Sequence, residues 1–273
     1  MIGAVSERPR KVKDLSTGQR LAAAAYAAPH EGKIFGTIEV DASEALRFLK
    51  AKREEGVRLT IVHMVVRSAA LALRDVVPEL NRMIRRGQLY QRPTVDIFVS
   101  VGMNRGRDIS GFKISRADGK PLEEIGREIK SAALRMRRGD EAIGLTRIRS
   151  VLEAVPAPLL RPAMLLIRFL LMDLGVSLAS LGVPEDPFGS LLVTDIGSFG
   201  LDVGYPALLP LSSASCIVAV GQVSQRAVVR DGEVVARPIL TLSGTFDHRI
   251  ADAYHAGALV RAARHYIEHP ELL

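Results

Sequence analysis

A group of charged and titratable residues near the end of the chain has the composition of a proton-transfer site. Asp247, His248 and Arg249 are consecutive, and Asp252 follows four residues after the histidine. Histidine is the side chain best suited to proton transfer near neutral pH. A histidine that only hydrogen-bonds between charged neighbours in a turn has the same local sequence. This motif alone therefore leaves a catalytic and a structural interpretation open.

The surrounding pattern predicts that His248 lies where a strand ends. An alternating, β-prone run stops at Asp247-His248, and a helical pattern begins after Asp252. A strand holds the backbone in place while its end opens toward a cleft, and catalytic groups are often found there. The position of His248 is therefore typical of a catalytic residue.

The remaining elements must build a scaffold for this turn. Asp41 or Ser43 is the predicted N-cap of a helix that ends near Glu55, and Pro121 lies near the first residue of another helix. Asp231-Gly232 between two alternating runs predicts a β-hairpin. Together the patterns predict one α+β domain, with helices at 19–28, 43–55, 59–77, 121–138 and 254–273 and strands at 33–40, 88–92, 95–103, 191–196, 216–221, 227–230 and 233–245.

Composition limits the class of protein. The 273 residues, 48% of them hydrophobic, suffice for a sizeable core. Cys216 is the single cysteine, which excludes a disulfide framework and a cysteine-based metal cluster. It lies in an apolar run and is predicted to be a buried strand residue rather than a nucleophile. We expect residues 1–18 to form a polar N-terminal arm that becomes ordered only by docking.

The charge of the chain indicates an anionic partner. A net charge of +7 and a pI near 9.8 suit nucleic acid, an anionic membrane or a phosphate-rich small molecule. Aromatic residues make up only 5% and tryptophan is absent, so platforms for base stacking are scarce. Nucleic acid is therefore not an expected partner. The first residues lack the apolar core of a signal peptide, and a cytoplasmic location is expected.

Residues 151–189 form an unusual hydrophobic segment with prolines at both ends. Arg161, Arg168 and Asp173 interrupt its apolar run well short of the roughly 20 residues that a membrane span needs. Two interpretations remain, a hydrophobic hairpin buried in a subunit interface and a helix lying at a membrane surface. We favour the subunit interface.

The residues around His248 resemble a known signature. Phe246–Asp252 is similar to the Asp-His-Arg-x-x-Asp-Gly motif of the catalytic domain of 2-oxoacid dehydrogenase E2 acyltransferases, which share a fold with chloramphenicol acetyltransferase. The resemblance spans residues 15–273. It also rests on the stretches at 69–73, 78–81, 121–125, 193–200, 229–235 and 269–273.

The resemblance implies a single domain at residues 19–273 with a chloramphenicol acetyltransferase-like fold, in which a mixed sheet is covered by helices. It implies a homotrimer, able to assemble further, with each active site in a channel between subunits. Coenzyme A enters that channel from one side and a dihydrolipoyl-type thiol from the other. The expected partners are 2-oxoacid dehydrogenase components or a lipoyl carrier protein, and no metal is implied.

The same resemblance assigns roles to individual residues. His248 is the general base that takes the proton of the attacking thiol, whose ordinary pKa of about 8.5 leaves it mostly protonated at neutral pH. Thr194 matches the family serine that stabilises the tetrahedral oxyanion, and in a trimer it faces the His248 of a neighbour. Asp252 helps to hold the active-site turn. Asp247 and Arg249 give the site structural support.

Several departures from the family pattern bear on function. Ala253 replaces the final glycine of the motif, and its methyl group would be strained if that position required a positive φ. Asp108–Lys113 replaces the Gly-Leu-x-x-Pro stretch, and residues 151–189 replace a short link. We expect no lipoyl domain and no subunit-binding domain before the catalytic region, so a lipoyl group is expected on a separate protein. The alternative to an enzyme is a catalytically silent trimer that recruits partner enzymes, and a weaker alternative is acylation of a small hydroxyl or amine.

Overall fold

A six-stranded mixed sheet with helices on one side forms the body of the protein. The computed structural model describes residues 10–11, 32–103, 108–138, 157–176, 186–209 and 212–273. The strands are β1 Arg10–Lys11, β2 Lys33–Asp41, β3 Arg82–Arg85, β4 Gln88–Gln91, β5 Ile97–Met103, β6 Asp108–Ile114, β7 Leu191–Asp195, β8 Cys216–Arg230 and β9 Glu233–Asp247. The helices are α1 Ser43–Glu54, α2 Ile61–Asp75, α3 Leu122–Arg137, α4 Ala157–Arg168 and α5 Ala253–Glu268.

The large sheet has the strand order β2-β9-β8-β7-β5-β6. Strand β7 runs parallel to both β5 and β8, and the other pairs are antiparallel. A small sheet, β1-β4-β3, lies beside it, so the Arg10–Lys11 part of the predicted arm pairs with β4. The predicted α+β class is confirmed. The predicted helix at 19–28 lies outside the described residues.

The two faces of the large sheet differ because successive side chains along a strand point to opposite sides. One face, called the helix face, packs strand residues such as Val99, Val193 and Leu240 against α2, α3 and α5 in the main core. The opposite face, called the open face, carries Phe98, Ser100, Leu192, Thr194 and Ser243 from the alternate positions. Part of the open face is covered by the segment that follows β7.

The prediction of a buried helix around residues 59–77 is confirmed, since most residues of α2 are buried. The Asp231-Gly232 hairpin is confirmed as well, with φ values of 51° and 84° at its two turn residues. Both values match a turn that suits the twist of the strands. A register shift between Val220 and Val223 explains why β8 looked like two strands in the sequence.

The predicted N-cap of α1 is wrong by one residue. Ala42 is the N-cap, and the Asp41 carboxylate accepts hydrogen bonds from the Ser43 backbone amide at 3.0 Å and from its hydroxyl at 2.6 Å. Asp41 is still paired with Ile239 in the sheet, so its backbone is held extended and only its side chain reaches the helix start. Cys216 is buried, as predicted, and burial raises the pKa of its thiol to about 12.

Helix α4 lies within the hydrophobic segment predicted at 151–189. A π-helical turn, Phe169–Asp173, continues it, and Leu171 is buried. Arg86 Nε donates to the backbone carbonyl of Leu174 at 3.0 Å, which ties this end to the β3–β4 hairpin. A stripe of the helix remains exposed and consists of Leu159, Leu165, Leu166 and Phe169. In the described ranges, every helix is too short or too polar to cross a membrane. Residues 151–156 and 177–185 lie outside the described part, and burial in a subunit interface stays a prediction.

Candidate active site

His248 lies directly after β9, where its ring is half-buried and oriented by the turn. Its backbone amide donates to the Gly32 carbonyl at 2.6 Å, and its Nδ1 lies 2.9 Å from the Ala251 carbonyl oxygen. A carbonyl oxygen only accepts, so Nδ1 carries the proton in this contact. In the neutral ring, Nε2 then holds the lone pair, which is the form that a general base requires.

A buried ion pair supports the turn from one side. Asp247 is buried at the end of β9, and its carboxylate accepts from Arg249 Nε at 2.9 Å and from Arg249 Nη2 at 2.5 Å. The Arg249 backbone amide also donates to the same carboxylate at 3.0 Å. The Asp247 carbonyl in turn accepts from the Ala251 amide at 3.0 Å. The backbone on both sides of His248 is therefore held by one pair of residues.

Asp252 closes the turn by capping α5. Its carboxylate accepts from the His255 backbone amide at 3.2 Å, and its Oδ1 lies 2.6 Å from His255 Nδ1. Burial alone would raise the pKa of Asp252, but hydrogen bonds from His255 outweigh this effect, so the pKa lies below its usual value. A carboxylate that stays ionised is well suited to the positive end of a helix.

The positive φ that would strain Ala253 does not occur. Ala253 is the first residue of α5 and has a helical backbone, which alanine adopts readily. Within the described part of the chain, the non-glycine residues with positive φ are Arg86, Arg116 and Asp231. The missing glycine therefore gives no reason to expect a distorted turn.

Thr194 occupies a different part of the sheet. It is half-buried near the end of β7 on the open face, and its Oγ1 accepts a hydrogen bond from Ser100 Oγ at 2.6 Å. Ile196 and Gly197 follow β7 and begin a turn. A Cβ added to Gly197 would lie 2.7 Å from the Gln222 amide nitrogen. This close approach explains the glycine in the Thr194–Gly197 stretch.

The register of the sheet separates Thr194 from His248 within one chain. Thr194 is aligned with Ala219, which is aligned with Ser243, and His248 lies five residues beyond Ser243. Five residues of strand span about 16 Å, and the two intervening strand spacings add about 10 Å sideways. Asp247, Arg249 and Asp252 therefore lie in the same turn region as His248, whereas Thr194 lies two strands and five residue positions away.

Two residues of this arrangement were missed in the sequence. His255 lies three residues after Asp252, a spacing typical of a capping box, so a local signal was present. Ser100 and Thr194 are 94 residues apart, and only the pairing of β5 with β7 makes them neighbours. Within the described ranges, no group of three or more His, Cys, Asp or Glu side chains is arranged to hold a metal ion.

The fold and the His248 motif define an acyltransferase catalytic domain. The family described as 2-oxoacid dehydrogenases acyltransferase (catalytic domain) matches residues 10–143 and 184–273. The chain belongs to this family, and the resemblance to it is confirmed. The matched ranges leave out residues 144–183, which overlap most of the predicted insertion at 151–189.

Individual relatives agree with this assignment. The chain is 26% identical over 229 residues to the dihydrolipoyllysine-residue acetyltransferase component of the pyruvate dehydrogenase complex of Bacillus subtilis, covering 83% of this chain and 42% of the relative. The chain thus spans less than half the length of this curated relative.

Solved structures share the fold. One is the Azotobacter vinelandii dihydrolipoamide acetyltransferase, with a TM-score of 0.61 and 16% identity, covering 86% of this chain and 81% of that one. It was studied for the roles of a serine, a histidine and an asparagine in its catalytic mechanism. Another is the cubic core of a pyruvate dehydrogenase multienzyme complex, with a TM-score of 0.63 and 17% identity, covering 97% of this chain and 92% of that one.

Proposed function

We propose that this protein transfers an acyl group between coenzyme A and the thiol of a dihydrolipoyl group carried on another protein. The orientation of His248 is the observation that carries this proposal, because its Nδ1 donates to the Ala251 carbonyl and leaves Nε2 as the basic atom. The family and the names of the curated relatives support the same reaction.

The reaction needs one base and one oxyanion donor. His248 Nε2 takes the proton of the acceptor thiol, and the resulting thiolate sulfur forms a bond to the thioester carbonyl carbon. The tetrahedral intermediate then collapses, its bond to the coenzyme A sulfur breaks, and His248 returns the proton to that sulfur. In the opposite direction the same steps move the acyl group to coenzyme A.

Thr194 is the proposed oxyanion donor, and it acts in the active site of a neighbouring subunit. The separation of Thr194 from the His248 of its own chain supports this arrangement, since one chain does not hold both groups together. The Azotobacter study concerns a serine, a histidine and an asparagine, of which the last two are four residues apart, as His248 and Asp252 are here. Asp252 has the same spacing from the histidine as that asparagine, and its proposed role is to support the turn by capping α5.

A homotrimer brings the two groups together, and the open face is its proposed interface. Phe35 and Tyr205 pack edge to face at 5.3 Å between ring centres while both remain about half exposed. Further exposed apolar residues follow Thr194 in the chain and are Phe199, Leu201 and Val203. A group of exposed apolar side chains such as this one favours burial against another chain. The likeness to a cubic core supports further assembly, with 2-oxoacid dehydrogenase components as partners.

Acetyl transfer from acetyl-CoA to free dihydrolipoamide tests the proposal. We expect turnover by the wild-type protein and a loss of about 10²- to 10⁴-fold in His248→Ala, the range typical of a general base. His265→Ala is the matched control, because this exposed histidine lies on α5 outside the turn. Absence of wild-type turnover with several acyl-CoA donors contradicts the proposal.

The exposed stripe of α4 favours a second candidate function, a silent trimer that recruits partner enzymes. Leu165 and Leu166 are both more than half exposed and lie in residues that the family match leaves out. In that case Leu165→Glu with Leu166→Glu reduces particle mass or partner binding, and the wild type shows no acyl transfer. Leu134→Glu on α3 is the control for adding a charge at an exposed leucine.

A further inference from the structure

Ser100 and Thr194 form a hydroxyl pair on the open face, with 2.6 Å between their oxygen atoms. We propose that Ser100 is a positioning residue, which orients the Thr194 hydroxyl so that its hydrogen points to the oxyanion of the transition state. This inference rests on the proposed role of Thr194. It adds a residue that neither the sequence motif nor the family resemblance contained.

The pairing of β5 with β7 fixes the contact between Ser100 and Thr194. Strands β5 and β7 are parallel, with Val99 beside Val193 in the ladder. Ser100 and Thr194 are the next residues along these strands, so both point to the face opposite Val99 and Val193. The valines are buried in the main core, which holds the register in place.

The direction of the hydrogen bond decides what Thr194 can do. A hydroxyl has one hydrogen, and an oxyanion requires that hydrogen as a donor. Because Ser100 donates to Thr194 Oγ1, the hydrogen of Thr194 is directed away from Ser100. A hydroxyl that accepts one hydrogen bond also becomes a stronger donor in the next, since chained hydrogen bonds polarise one another.

The effect of Ser100 should appear in kcat rather than in KM. Ser100 acts through Thr194, and the oxyanion exists only after the thiolate has attacked, so ground-state binding of either substrate does not use this contact. One intramolecular hydrogen bond of ordinary strength corresponds to about a tenfold change in rate.

Steady-state kinetics of Ser100→Ala, Thr194→Ala and the double variant test the inference in the assembled protein. We expect Ser100→Ala to lower kcat about tenfold with both KM values unchanged, and Ser100→Thr, which keeps a hydroxyl, to restore most of the rate. In the Thr194→Ala background, adding Ser100→Ala should change kcat by less than twofold, because the group that it orients is gone.

The outcomes separate this inference from the proposed function. If Thr194→Ala lowers kcat and Ser100→Ala does not, the positioning role is overturned while the acyltransferase proposal stands. If the two losses multiply, Ser100 acts independently of Thr194 and the positioning role is overturned. If Thr194→Ala leaves kcat unchanged, the oxyanion role of Thr194 fails, and the role of Ser100 fails with it. A rise in KM alone also contradicts the inference. Thermal unfolding of each variant identifies a loss that comes from misfolding.

Discussion

The two faces of the large sheet differ in how much of their apolar surface a single chain buries. On the helix face, Leu240 and Phe246 are at most 1% exposed beneath the helices. On the open face, Phe35 is 56% exposed and Tyr205 is 48% exposed. The helix face therefore provides the packing that folds the chain. The open face retains apolar surface that is available to another chain.

The two parts of the candidate site, the His248 turn and Thr194, also differ in how far one chain completes them. The His248 turn is held within one chain by the Asp247–Arg249 pair and by the Asp252 cap. Thr194 has its partner Ser100 but lies two strands and five residue positions from His248. We infer that each chain preorganises both halves separately, and that association of the open faces completes the site.

Substitutions on the open face should have the largest effect. Phe35→Glu together with Tyr205→Glu places charges on an apolar surface that is proposed to be buried in the trimer. We expect dissociation to protomers and a loss of acetyl transfer of at least about 100-fold, because separating an oxyanion donor from the site costs about that much. Particle mass and turnover are the measurements.

Val234→Glu with Val229→Glu is the control for this prediction, since both valines are exposed on the β8–β9 hairpin away from the His248 turn. Unchanged mass in the Phe35 and Tyr205 variant would contradict the proposed interface.

Breaking the buried ion pair should destabilise the His248 turn strongly. Arg249→Met leaves the Asp247 carboxylate buried without its main partner, and we expect a loss of roughly 3 to 5 kcal/mol in the free energy of unfolding. Asp247→Asn added to Arg249→Met removes the uncompensated charge and should recover part of that loss. Denaturant unfolding measures both variants, and a loss below about 1 kcal/mol in Arg249→Met would show that the pair does not support the fold.

Acid should weaken the helix face through His63. Burial lowers the pKa of His63 to about 4, and its Nδ1 accepts a hydrogen bond from the Thr60 amide at 3.2 Å. The unfolded state binds this proton near pH 6.5 and the folded state only near pH 4, so stability is lost as the pH falls between these values.

The expected contribution of His63 is roughly 3 kcal/mol between pH 7.5 and pH 4. His63→Asn removes the titrating group, so the difference between its pH dependence and that of the wild type isolates His63 from the acidic residues that also titrate there. Urea unfolding at several pH values measures this difference, and parallel curves would rule out His63 as the source.

Loss of the α5 cap should have the smallest effect. Asp252→Ala removes the carboxylate that accepts from the His255 amide, and we expect the free energy of unfolding to fall by about 1 kcal/mol. Asp252→Asn keeps a capping oxygen and should lose less. Equal losses in the two variants would indicate that charge rather than capping matters at this position.

Much of the fold was predictable because its signals are local. Alternation along residues 33–40 predicted β2, the apolar run at 59–77 predicted a buried helix, and Asp231-Gly232 predicted a hairpin. The prediction for Cys216 followed from its apolar neighbours alone. The N-cap of α1 was misplaced because sheet pairing holds Asp41 extended, and this pairing is not a local property.

The amino-acid sequence by itself determined that Asp247, His248, Arg249 and Asp252 lie within six residues, where Arg249 reaches Asp247 and His248 reaches the Ala251 carbonyl through local hydrogen bonds. Only the tertiary structure decided that Ala253 is helical, that Ser100 contacts Thr194, and that Thr194 lies far from the His248 of its own chain. The physical reason is that these facts depend on which distant strands pair and in which register, and residue spacing along the chain does not encode that.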